Sequence, residues 1–104
     1  MEAAREHFSQ SIRIAQSLDQ KDLVLISFAG YASIFASLGK FEQAVELGSL
    51  VTHHKLSWNE TKTQVLALLQ TIKSVSPEQF SAAQERGCEL DIAEAIRRFN
   101  LLKG

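Results

Sequence analysis

A chain of 104 residues, 45% hydrophobic with one proline and five glycines, has the makings of one packed domain with short connections and excludes a disordered or fibrous protein. A formal net charge of -1, with neither sign gathered into a run, excludes a general electrostatic pull toward nucleic acid or anionic membrane. Cys88 is the one cysteine, which excludes an internal disulfide and suits a reducing cytoplasm, and the first residues show no basic stretch leading into an apolar run, so no secretory signal is expected.

In chain order, Ala4, Phe8, Ser11, Ile12, Ala15 and Leu18 recur at three- and four-residue steps and predict a first helix over residues 2–18. Arg5, Glu6, Gln10, Arg13 and Gln16 form its solvated face, and His7 reads as a surface residue. A polar turn at 19–22 offers Asp22 as the N-cap of a second helix over 23–38, which Gly39 closes in the manner of a C-cap glycine. Residues 23–39 carry no charge. At 1.5 Å per residue they reach about 25 Å, short of a bilayer core of about 30 Å. Eight of them are Gly, Ala or Ser, so the stretch reads as a helix covered on every side by protein. The third helix, over 41–54, presents Phe41, Ala44, Val45, Gly48 and Val51 to a core.

The chain beyond residue 56 continues as helices. Ser57 followed by Glu60 reads as a capping box opening a helix to about residue 74, with Val65, Leu66, Leu68, Leu69 and Ile72 as its stripe. Ser76-Pro77 with Gln79 marks the next start, and that short helix, carrying Phe80 and Ala83, is expected to stop at Gly87. Asp91 with Glu94 opens a last helix bearing Ile92, Ala95, Ile96, Phe99 and Leu102. Six helices and no strand signal predict an all-α fold.

Phe28, Tyr31-Ala32 and Phe35, then Gly39, Phe41 and Ala44, resemble a tetratricopeptide repeat, with Ala4, Phe8 and Ser11 of the first helix falling on Ala44, Gly48 and Val51 of the third. The resemblance implies an antiparallel array of about six helices, residues 1–56 forming one and a half repeats and residues 57–104 packing on them as part of a single domain. Phe80-Ser81-Ala82-Ala83, Glu85-Arg86-Gly87, Leu90-Asp91 and Glu94-Ala95 resemble the C-terminal end of large bacterial ATPase-type transcriptional regulators, implying such an end or a stand-alone relative. Protein–protein interaction is the function these resemblances imply, in bacterial signalling or transcription control. In such arrays the first helix of each repeat lines a groove, which places Ile26, Ala29, Ser33, Ala36 and Ser37 on a partner-binding face. The first helix is then half of a repeat, so Phe8, Ile12 and Ala15 are expected to be covered by a homodimer partner or an upstream domain.

Candidate chemistry is sparse. His53 and His54 are adjacent, so on a helix they point about 100° apart, and no third ligand stands near in sequence; they read as favourable groups at a helix C-terminus rather than a metal site. No base is supplied to Cys88 by neighbouring sequence, and Gly39-Lys40 lacks the glycine and hydroxyl of a phosphate loop. No enzyme activity and no cofactor are expected. The alternative is DNA binding through a helix-turn-helix-like pair at 77–102 with Arg97 and Arg98; Asp91 and Glu94 at the base-reading end make nucleic acid an unfavoured partner.

Overall fold

The computed structural model describes residues 2–101, with side chains from residue 5 onward. Leu102, expected on the last apolar stripe, lies outside the described residues, as does the side chain of Ala4. Six helices follow in order: α1 (Glu2–Ser17), α2 (Lys21–Ser37), α3 (Phe41–His53), α4 (Asn59–Val75), α5 (Pro77–Glu89) and α6 (Ile92–Arg98). Among the described residues there is no strand and no helix long and apolar enough to cross a membrane.

α2 is the helix the others surround. Val24, Leu25, Phe28, Tyr31, Ala32, Ile34 and Phe35 are buried, and α1, α3 and α4 all pack against it. An uncharged helix is stable only with that much cover. Its partners are joined to it by tight turns. The end of α2 is a Schellman motif: Gly39 takes φ +77°, its N–H donates to the Ala36 carbonyl at 3.1 Å, and the Lys40 N–H reaches Phe35 at 2.9 Å. α1 ends the same way with Asp19 at φ 54°, and α6 with Asn100 at φ 54°. Asp and Asn are the non-glycine residues that tolerate this left-handed region best.

The Asp19 turn moves the start of α2. Gln20 N–H bonds back to Ala15 at 2.8 Å while its carbonyl receives the Val24 N–H, so the helix begins at Lys21 and Asp22 sits inside its first turn instead of capping it. Ser57 also departs from expectation. It is buried, its Oγ donates to the Val51 carbonyl at 2.6 Å, and so it satisfies the C-terminal end of α3, leaving Trp58 at the N-cap of α4. Ser76 alone connects α4 to α5 and makes no side-chain cap. Asp91 does cap, its Oδ1 accepting from the Glu94 N–H at 2.7 Å.

α5 does not form a hairpin with α4; its most extensive contact is a crossing over α3. Gly87, expected to end α5, is buried within it, because this is where the two backbones meet. A Cβ there would overlap the Glu46 carbonyl oxygen and stand 2.7 Å from Ser49 Cβ. α6 and the residues after it then close over α2 and α3. The Phe99 ring lies 6.0 Å from that of Phe35, continuing a line of rings through Tyr31 to Phe8. The fully buried Tyr31 hydroxyl lies 2.9 Å from the Leu101 carbonyl and 3.0 Å from that of Arg5, beside Ser9 Oγ, which donates to Leu101 at 2.6 Å. Two hydroxyl protons thus tie together α1, α2 and the chain after α6.

The substitution Gly87→Ala separates α3 from α5. Overpacking of this kind costs about 1–3 kcal/mol. It outweighs the roughly 1 kcal/mol that alanine gains over glycine inside a helix. The urea midpoint of the variant should fall below that of the parent.

Candidate functional site

The predicted groove residues lie along α2 as spaced in sequence: Ile26, Ala29 and Ala36 are half-buried, and Ser33 and Ser37 are exposed. α4 stands alongside. Phe8, Ile26, Ala29, Gly30 and Ser33 face Thr61, Gln64, Val65 and Leu68 across a cleft of about 220 Å³ with no charged lining residue. Three of the five predicted residues, Ile26, Ala29 and Ser33, are brought together here; Ala36 and Ser37 fall outside the cleft. The small side chains of Ala29 and Gly30 create the space, and Gly30 receives the Phe8 ring, which a Cβ at that position would overlap.

The predicted self-association residues need correction. Ile12 and Ala15 are 0% and 1% exposed, so they belong to the chain's own core against α2 and offer nothing to a second copy. Phe8 is half-buried, in ring contact with Tyr31. The sequence showed which face of α1 is apolar but not that the rest of the chain covers it. The exposed large apolar residues here are Ile14 on α1 and Leu18 in the turn just after it, 60% and 61% exposed.

The α3–α5 crossing assembles polar groups distant in sequence. Glu46 is buried, and its Oε1 receives Arg86 Nε at 3.1 Å and Arg98 at 3.4 Å, fastening both α5 and α6 to α3. His53 Nδ1 lies 2.9 Å from the Ser49 carbonyl. A carbonyl can only accept, so Nδ1 carries a proton toward it, and Cys88 Sγ lies 3.5 Å from both ring nitrogens. Spacing carries no sign of this neighbour, because 35 residues separate the pair and only the crossing joins them. The pair is a proximity without activation: burial, then Glu89 and Glu85, push the Cys88 thiol above its ordinary 9.0, which keeps it protonated at neutral pH. Among the described residues no group of three or more His, Cys, Asp and Glu is placed to hold a metal ion.

The helix-turn-helix alternative meets a short second helix. α6 has 7 residues, about 10 Å at the rise of an α-helix. Asp91 and Glu94 occupy its N-terminal end, and Arg98 is committed to Glu46.

A larger concavity lies at the opposite end of α2 from Gly39. The ends of α1 and α3, the start of α2 and the α5–α6 connection enclose about 490 Å³, with Lys21 and His54 on the wall. His54 Nδ1 accepts the Leu56 N–H at 3.1 Å. Burial, followed by the charges of Lys21, Lys55 and Lys62, pulls its pKa below the ordinary 6.5. Beside it, Trp58 is half exposed and its indole N–H donates to Asp22 at 3.2 Å. No protein-family model matches the chain, and no curated protein or solved structure matches it either.

Two titrations follow from these placements. The folded chain holds His54 below its unfolded value, so as pH falls the unfolded state takes up the proton first; stability is highest above pH 6.5 and is lost as pH falls through the folded-state value. The drop in melting temperature between pH 7.5 and 5.5 should be smaller in His54→Gln than in the parent. Cys88 should alkylate with iodoacetamide at pH 7.4 more slowly than glutathione, and Glu85→Gln with Glu89→Gln should speed it.

Proposed function

We propose that the chain is a protein-interaction module of tetratricopeptide-like form, belonging or related to a bacterial signalling or transcription regulator and working in the cytoplasm. The observation that carries this reading is the open, uncharged cleft between α2 and α4, where Ile26, Ala29 and Ser33 face Gln64 and Leu68. A surface of small and apolar side chains without charge fits an apolar stripe of a peptide or helix, because such a partner leaves no ion to be desolvated on either side. The occupant is a protein or peptide. A second copy meeting the outward Ile14 and Leu18 is the homodimeric form of the same reading, displaced from Phe8, Ile12 and Ala15 to the exposed face of α1.

Nucleic acid at 77–102 is the weaker alternative. An acidic helix start repels phosphates, and Arg98 is already paired.

Ser33 is exposed, so Ser33→Arg leaves the fold intact while placing a charge on the cleft. A photo-crosslinker at Gln64 should capture a protein partner in cells of the source organism. That adduct should disappear in the Ser33→Arg background with an unchanged circular dichroism spectrum. A crosslinker at Glu85, away from the cleft, should give no such adduct. Equal capture from both positions, or capture that survives Ser33→Arg, overturns the cleft as the binding face.

A further inference from the structure

Trp58 is the one tryptophan of the chain, and the fold holds it in place without covering it. It is 50% exposed, yet its indole N–H donates to Asp22 Oδ2 at 3.2 Å and so ties the entry of α4 to the first turn of α2. A large ring left in water but fixed in orientation is a ready stacking surface, because its rotamer freedom is already given up.

The ring stands in an open hollow of about 530 Å³ with Asp19, Lys21, Asp22 and Leu56, none of which lines the α2–α4 cleft. All of these but Asp22 are exposed, so a side chain can enter while the backbone that carries it stays outside. Leu56, 46% exposed, offers apolar surface on the same lining as the indole.

The charges give the hollow a sign. Two carboxylates stand against one ammonium, while Lys55 and Lys62 act on His54, which is not part of the lining. The surplus is negative, and so is the face of an indole ring, so both attract a cation. Hydrogen bonding then chooses among cations. With Oδ2 of Asp22 taken by the indole, Oδ1 and the Asp19 carboxylate remain as acceptors. A quaternary ammonium has no N–H to give them, and the compact ammonium of lysine cannot lie flat on a ring. A guanidinium does both, being planar with five donors.

We propose that this hollow docks an arginine side chain of a peptide partner, its guanidinium stacked on Trp58 and donating to Asp19 and Asp22, its aliphatic stem along Leu56. The contact is separate from the α2–α4 cleft and does not depend on it.

N-acetyl-arginine amide, which presents the side chain as a peptide does, is titrated into the full chain and read by the emission of Trp58. The expected result is a saturable change. N-acetyl-citrulline amide, of nearly the same shape without the charge, should bind at least about tenfold more weakly, the factor expected from losing one charge-assisted hydrogen bond. Choline, a cation without an N–H, should be weaker by a similar factor. Asp19→Asn combined with Asp22→Asn keeps both the left-handed turn and an acceptor for the indole, so the circular dichroism spectrum should persist while arginine binding falls about tenfold. Glu85→Gln with Glu89→Gln makes the same change of net charge away from the hollow and should leave binding unaltered. Absence of a saturable change, citrulline or choline binding as tightly as the arginine probe, arginine binding that survives the two asparagines, or an equal loss in the Glu85 and Glu89 variant overturns the proposal. None of these outcomes bears on the α2–α4 cleft, whose test uses Ser33→Arg.

Discussion

The constraint on which the rest of the structure depends is the cover required by α2. A helix whose central residues carry no charge cannot leave a broad face in water, and none of the surrounding helices is wide enough to cover it alone. α1 and α3 take two sides through short turns, α4 a third, and the residues after α6 return to close over Tyr31 and Phe35. The return is held by directional bonds as well as by rings: the Tyr31 hydroxyl is fully buried and would lose several kcal/mol of hydration in an apolar setting without acceptors. The carbonyls of Arg5 and Leu101 supply them. The polar tip of a core tyrosine therefore fixes where the end of the chain must lie.

The α3–α5 crossing is the second organising contact, and it answers to a different chemistry. Two backbones can approach this closely only where one contributes no Cβ, and Gly87 is that place. Close approach buries Glu46, and a buried carboxylate has to be paired. Arg86 on α5 and Arg98 at the end of α6 reach the same oxygen of Glu46 while remaining 41% and 43% exposed at their side chains, so the charges meet at the edge of the core where the guanidinium groups keep part of their hydration. The arrangement adds little to stability compared with an apolar contact of the same shape. What it does fix is register, since the two arginines come from different helices and only one placement of α5 and α6 on α3 serves both.

The parts of this architecture that are local were legible in the sequence, and the parts that are not local were not. Gly39 has to take a left-handed conformation whatever surrounds it, and Asp91 finds its acceptor role three residues away, so the hairpin and the start of α6 could be placed from spacing alone. Gly87 looked like a helix end because a glycine's local tendency is to end helices; its actual use depends on α3, some forty positions earlier in the chain. Ser57 looked like a cap for the helix that follows because nothing in sequence shows that the Val51 carbonyl lies nearer. Ile12 and Ala15 were read correctly as an apolar face and wrongly as one in need of a partner, since periodicity identifies a face without naming its cover. The resemblance to a tetratricopeptide array put Ile26, Ala29 and Ser33 on one face of α2, whereas the α4 residues opposite them depend on how the chain turns at 54–58.

Two of the concavities among the described residues are consequences of α2. Beside Ala29, α4 does not fill the space that the Phe8 ring leaves over Gly30; where α2 begins, Lys21 and His54 line the second concavity. They lie along one helix yet differ in kind, one without a charged lining residue, the other with Lys21, Asp19 and Asp91 around His54. Between them Leu25, Phe28 and Tyr31 are packed with no exposed surface. A helix pinned in that way moves as a rigid body or not at all, and a rigid movement would have to break the Tyr31 bonds and the Asp19 turn together.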